Sequence, residues 1–216
     1  MDKKSVFARV DHTLLKAAAV WPEVEKLCRE ALTYGMATVC IPPSFVKQAK
    51  DSFPGLKVCT VIGFPLGYST REVKVYEARQ AILEGAAEID MVVNLGWVKA
   101  GHFAAVTDEI KALKAEAGEK VLKVIVETCY LNREEKIALC QCVADSGADF
   151  IKTSTGFGSA GADTADIALF RQHLPSRVLI KAAGGIRTAE AMEAMIGAGA
   201  DRIGASAAVT AYEGRD

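Results

Sequence analysis

The sequence predicts an α/β fold, a TIM (β/α)8 barrel in a single domain over residues 1–216. Three observations point there. Short β-branched runs alternate with longer amphipathic stretches from end to end, the pattern of parallel strands covered by helices. Eight such runs in 216 residues leave 27 residues per unit, close to the minimum for a strand, a helix and two short loops. A weak internal repeat then sets the register of alternate strands. A doubly wound open sheet would need fewer strands or a longer chain, and no G-x-G-x-x-G follows the first strand.

The strands are expected at Val6–Asp11, Thr38–Ile41, Lys57–Ile62, Glu88–Asn94, Leu122–Glu127, Phe150–Thr153, Val178–Ala182 and Arg202–Ala205. Most are near-continuous apolar runs, as befits strands buried on both faces. Pro22 suits the first turn of the helix ending near Tyr34. Ser69 with Glu72 reads as a capping box before one helix, and Asn132 with Glu135 before another.

The repeat is a helix-stopping glycine followed shortly by a strand, at Gly35, Gly85, Gly147 and Gly199. Four residues on stand Val39, Ile89, Ile151 and Ile203, all β-branched and suited to packing outward against helices. Five residues on stand Cys40, Asp90, Lys152 and Gly204, which strand alternation turns inward. They lie on strands two, four, six and eight, and alternate strands supply one interior layer of such a barrel. Spacing alone therefore brings a carboxylate and a lysine together inside the barrel.

Composition excludes several classes. Lys and Arg number 26 against 27 Asp and Glu, a formal charge of −1, so no nucleic-acid or membrane-surface partner is expected. Half the residues are apolar, too many for a disordered chain. No run approaches the length of a membrane helix. Arg9 and Asp11 interrupt the start before any signal-peptide core, and a cytoplasmic location is expected. The six cysteines show no zinc spacing and read as reduced, buried thiols. Neither a metal nor an organic cofactor is expected.

Polar residues gather toward strand C-termini: Asp11 and Thr13, Asp90 and Asn94, Glu127, Lys152 and Lys181. Active sites of this fold occupy that face. A bland alternative is a set of salt bridges tying the barrel together. Lys152 and Lys181, on adjacent strands, argue for chemistry. A free lysine with pKa ~10.4 is a poor nucleophile at neutral pH. A second ammonium in a dry site favours the neutral amine, which can attack a carbonyl and form a Schiff base. Asp90 is then placed to carry protons. His12, His102 and His173 are scattered and suggest no hydrolytic triad. Gly184-Gly185 after strand seven and Gly204-Ala205-Ser206 after strand eight fit the usual phosphate site of these barrels, with Thr155-Gly156 adding donors.

At these residues the chain resembles the deoxyribose-phosphate aldolases of the bacterial type. The resemblance runs along nearly the whole length. It rests on Asp11-His12-Thr13-Leu14-Leu15, Val39-Cys40-Ile41-Pro42-Pro43, Val61-Ile62-Gly63-Phe64-Pro65-Leu66-Gly67, Glu88-Ile89-Asp90-Met91-Val92-Val93-Asn94, Lys123-Val124-Ile125-Val126-Glu127-Thr128, Phe150-Ile151-Lys152-Thr153-Ser154-Thr155-Gly156-Phe157 and Ile180-Lys181-Ala182-Ala183-Gly184-Gly185-Ile186-Arg187. It implies a metal-free, class I reversible cleavage of 2-deoxy-D-ribose 5-phosphate to acetaldehyde and D-glyceraldehyde 3-phosphate. It makes Lys152 the Schiff-base lysine and Lys181 the neighbour that favours its neutral form. Asp90 works in proton transfer with a water. Asp11 and Thr13 join the polar network around Lys181, and Cys40 lies near the aldehyde end of the pocket. Similar proteins are commonly dimers. Two departures stand out: Ala207 follows Ser206 where similar proteins often have a second hydroxyl, and the role of a C-terminal tyrosine found in some members does not transfer to Tyr212. The rival readings are a Schiff-base aldolase for another aldehyde and a barrel that only binds a sugar phosphate.

Overall fold

The computed structural model describes residues 1–214. Arg215 and Asp216, with which the expected domain and its C-terminal tail end, lie outside the described residues. Eight parallel strands close into a barrel in chain order: β1 (Val10–Thr13), β2 (Thr38–Ile41), β3 (Val58–Ile62), β4 (Glu88–Val92), β5 (Val121–Ile125), β6 (Phe150–Lys152), β7 (Leu179–Ala183) and β8 (Arg202–Ala205). Closure pairs β1 with β8, with Asp11 opposite Gly204. The helices are α1 (Lys3–Phe7), α2 (Trp21–Tyr34), α3 (Val46–Ser52), α4 (Arg71–Leu83), α5 (Leu95–Lys99), α6 (Phe103–Ala117), α7 (Arg133–Ser146), α8 (Thr164–His173), α9 (Ala189–Gly197) and α10 (Ala208–Ala211). Among the described residues no helix is long and apolar enough to cross a membrane.

The register expected from the repeat holds. Val39, Ile89, Ile151 and Ile203 are fully buried in the core between strands and helices. Cys40, Asp90 and Lys152 are buried on the other side, inside the barrel. Gly35 and Gly147 end α2 and α7 in the left-handed conformation that a side chain would strain. Asn132 and Glu135 form the expected capping box of α7, and Pro22 sits in the first turn of α2.

Several boundaries differ from expectation. The run Val6–Asp11 is not one strand. Asp2 accepts a hydrogen bond from the Ser5 N–H and starts the short helix α1, so Val6 and Phe7 are buried from a helix and β1 begins at Val10. β4 stops at Val92, and Asn94 instead caps α5 by accepting from the Trp97 N–H. β5 stops at Ile125, and Glu127 turns to φ 54°. Thr70 caps α4 by accepting from the Val73 N–H, and Ser69 does not. Glu72 lies in the first turn beside Arg71.

One buried ion pair locks the helical layer to the sheet. Lys74 of α4 donates to Glu109 of α6 at 2.8 Å and to the Val92 carbonyl at the end of β4 at 2.9 Å. Both side chains are fully buried, and burial pushes the Lys74 ammonium pKa down and the Glu109 carboxyl pKa up. Gly63, after β3, lies over the lysine stem, where an added Cβ would come within 2.8 Å of Lys74 Cε. Removing one partner leaves a buried, unpaired group, whereas removing both leaves an apolar contact. Lys74→Met is expected to lower the unfolding free energy by about 3–5 kcal/mol, and adding Glu109→Leu to recover most of that loss. Equilibrium urea unfolding of the two variants checks this; a double variant no better than the single one would mean the ion pair is not what the site depends on.

Candidate active site

The barrel interior holds an ionic cluster that links β1, β4, β5, β6, β7 and β8. Asp90 of β4 lies at its centre. Its Oδ2 accepts from Lys152 of β6 at 2.7 Å and from Lys181 of β7 at 2.7 Å. Its Oδ1 accepts from Lys123 of β5 at 2.8 Å and from the Cys59 thiol of β3 at 3.1 Å. Lys181 reaches Asp11 of β1 at 2.5 Å, and Asp11 takes Arg202 of β8 at 2.6 Å. Lys123 reaches Glu88 at 2.6 Å, and Arg202 reaches the same carboxylate at 3.1 Å. Among the described residues the cluster thus sets four cations, Lys123, Lys152, Lys181 and Arg202, against three carboxylates, Asp11, Glu88 and Asp90.

The charges hold one another ionised. Burial alone would raise the Asp90 carboxyl pKa, but Lys123, Lys152 and Lys181 outweigh it and hold that pKa well below the usual range. Asp11 is lowered in the same way, by Lys181, Lys123 and Arg202 against burial. Burial opposes the charge of Lys181, yet Asp11 and Asp90 hold its ammonium above the ordinary value. Neither Lys152 nor Lys181 is unpaired: both reach Oδ2 of Asp90, and Lys181 is held as a cation between Asp90 and Asp11. Gly204 makes room for it, since an added Cβ would lie 3.1 Å from Lys181 Cε.

Above the cluster opens a cavity of about 330 Å³ at the C-terminal ends of the strands. Thr13, Lys152, Thr155, Gly156, Gly184, Gly185, Gly204, Ala205 and Ser206 line it, as the sequence led us to expect of its polar and glycine positions. Asp90, Lys181, Asp11 and Cys40 lie beneath, in the barrel interior. Of the four clustered cations, Lys152 is the one that also lines the cavity. Two details depart from expectation. Thr155 gives both its N–H and its hydroxyl to Glu127, so it shapes the loop after β6 and has no N–H left for a phosphate. Thr13 donates to the Asp11 carbonyl and makes no bond to Lys181. As the sequence led us to expect, a helix begins at Thr188, which caps α9 through the Ala191 N–H, and the helix after β8, α10, is short at four residues. Gly184, Gly185, Gly204, Ala205 and Ser206 form this wall, and Lys16 and Arg187 at the rim add positive charge.

Lys123, Glu88, Arg202 and Cys59 were missed as members of the site. Strand alternation around Lys123 and Glu88 was the available signal. Cys40, Cys59 and Asp90 bring ligand atoms within 4.8 Å of one another, as do Asp11, Cys59 and Glu88. Their carboxylates already face ammonium or guanidinium groups, which a metal ion would have to displace.

The depressed Asp11 value fixes a pH dependence. Its stabilisation is complete above the unfolded pKa of ~3.9 and is lost as pH falls toward the lower folded value. The stability difference between the native protein and Asp11→Asn is expected to be constant above about pH 5 and to narrow below about pH 4. Chemical unfolding across this range measures it, and a gap that stays constant to low pH would contradict the pairing of Asp11 with Lys181 and Arg202.

Comparison with known proteins agrees with this architecture. Residues 5–214 match the DeoC/LacD aldolase family. The chain is 48% identical to the deoxyribose-phosphate aldolase of Clostridium botulinum (strain Alaska E43 / Type E3) over 100% of its own length and 98% of the relative's. It is 51% identical to that of Clostridioides difficile (strain 630) over 94% and 93%. Among solved structures, the aldolase QR15 superposes with a TM-score of 0.93 at 41% identity, covering 96% of this chain and 94% of that one. The tetrameric deoxyribose phosphate aldolase of Aeropyrum pernix gives 0.89 at 33% identity, covering 98% and 91%. With the family matched from end to end of the barrel, the chain belongs to the DeoC/LacD family of aldolases.

Proposed function

We propose that the protein reversibly cleaves 2-deoxy-D-ribose 5-phosphate to acetaldehyde and D-glyceraldehyde 3-phosphate through a Schiff base on Lys152. The observation that carries this reading is the position of Lys152: its Nζ belongs to the buried cluster, yet its side chain lines the cavity. The cluster holds one cation more than it holds carboxylates. As a neutral amine at the cavity floor, Lys152 is the nucleophile of the reaction.

The amine attacks the aldehyde carbon and forms a carbinolamine, which loses water to give a protonated imine. The imine draws in the electron pair of the C2–C3 bond as the C3 hydroxyl loses its proton. D-glyceraldehyde 3-phosphate leaves, and the enamine on Lys152 is protonated at C2. Hydrolysis then releases acetaldehyde. Asp90, held in place by Lys181 and Lys123, orients the water that moves protons through this cycle. Main chain at Gly184–Gly185 and Gly204–Ser206 cradles the phosphate, with Lys16 and Arg187 at the rim. Anchoring the substrate far from the reacting bond turns binding energy into positioning.

Borohydride reduction in the presence of acetaldehyde, followed by peptide mapping, is expected to place an ethyl group on Lys152. An adduct solely on another lysine would overturn the assignment, and a barrel that merely binds sugar phosphates would give none. Arg187→Leu is expected to lower kcat/KM for the phosphorylated sugar about tenfold to a hundredfold while leaving that for 2-deoxyribose nearly unchanged. Equal losses on both sugars would place Arg187 away from the phosphate.

A further inference from the structure

Cys40 of β2 and Cys59 of β3 are direct register partners, and both side chains point into the barrel. Neighbouring strands lie about 4.8 Å apart, inside the Cα separation that a disulfide spans. The two sulfurs lie within 4.8 Å of one another and of an Asp90 oxygen. Cys59 also donates to Asp90 at 3.1 Å and accepts from Lys123 at 3.3 Å. Val61, Leu15 and Phe64 pack against the pair, and Leu15 is part of the cavity wall. The aldol cycle uses neither sulfur.

We propose that Cys40 and Cys59 are a peroxide-reactive dithiol that closes to a disulfide inside the barrel and switches the aldolase off. The two sulfurs are unequal in the way the reaction requires. The neighbouring Cys59 thiol and the charge of Lys181 favour the Cys40 thiolate despite burial. Burial, Cys40 and Asp90 keep Cys59 protonated. Cys40 is the attacking sulfur and Cys59 the resolving one. The Cys40 thiolate attacks one oxygen of a hydroperoxide, the O–O bond breaks, hydroxide leaves, and Cys40 becomes a sulfenic acid. The Cys59 sulfur then attacks the Cys40 sulfur, the S–O bond breaks, and the Cys59 proton departs with that oxygen as water. With the proton first released by Cys40, two thiols and one hydrogen peroxide give one disulfide and two waters. Hydrogen peroxide is uncharged and smaller than the aldehydes the cavity admits. The disulfide removes the Cys59 donor from Asp90, the carboxylate that holds Lys152.

The activity half of this inference rests on the aldolase reading above, whereas the cross-link does not. The test treats the folded full chain with hydrogen peroxide, blocks free thiols with iodoacetamide, and maps tryptic peptides without reduction. The expected product joins the peptide of Cys40 to the peptide of Cys59. Aldolase activity falls about tenfold or more, the scale of a lost hydrogen bond to a charged group, and dithiothreitol restores both. In Cys59→Ala the resolving thiol is gone, so peroxide drives Cys40 to sulfinic acid and dithiothreitol does not rescue activity. Cys40→Ser gives no link. The proposal is overturned if Cys40 and Cys59 stay free under peroxide that oxidises the part-exposed Cys129. It is equally overturned if wild-type Cys40 is overoxidised without a link, or if the link forms and activity is unchanged. A link in a protein with no aldolase activity before treatment would count against the proposed function and leave the dithiol standing.

Discussion

Asp90 accepts hydrogen bonds from three lysines and a cysteine in the middle of the barrel, and the remaining interior is arranged around that carboxylate. Buried charges are tolerated only when their partners are close and their hydrogen bonds are made. Here each charge is shared: Lys181 spans Asp90 and Asp11, Arg202 spans Asp11 and Glu88, and Lys123 spans Glu88 and Asp90. The result is a closed circuit of ions running from the strand beginnings toward the cavity. Lys152 hangs from it by one carboxylate and faces the cavity. Stability and reactivity thus draw on the same groups in different ways, with the cations shared between carboxylates fixing the geometry and Lys152, paired with one, meeting the ligand.

Much of this was legible in the chain itself. Strands two, four, six and eight follow helix-stopping glycines, so their register could be counted, and Cys40, Asp90, Lys152 and Gly204 fall where the count puts them. β5 carries a similar marker, because Gly118 ends α6 and Lys123 follows it by five residues, so the same count reaches this lysine, which is fully buried against Asp90 and Glu88. The first strand was displaced for a local reason, since the Asp2 cap converts an apolar run that also suits a strand into a helix. Pairing itself cannot be counted: a sequence shows that Lys181 and Lys152 are neighbours, but not that Asp11 reaches across to neutralise one of them. Glu127 and Thr155 make the same point, because each looked like a ligand-binding residue and they bind each other.

The two layers of the protein use buried charge differently. Lys74 and Glu109 lie between helices and sheet, where burial drives both toward neutrality and one pair holds the packing. Inside the barrel several carboxylates and cations overlap, so burial is outweighed and the groups stay charged. The difference lies in the number of partners within reach rather than in depth.

Gly184, Gly185 and Gly204, which bring main chain alone, form part of the cavity wall with Ala205 and Ser206. A side chain at Gly184 or Gly204 would come within 3.0 Å of Gly161 or Ala183, so this wall admits little substitution. The loops after β1 and β6, with Leu15, Lys16 and Phe157, and Arg187 after β7 present the side chains that can change. A lineage moving toward a different aldehyde would therefore vary that rim and keep the floor, and the divergence of such enzymes would be written almost wholly in a few loop positions.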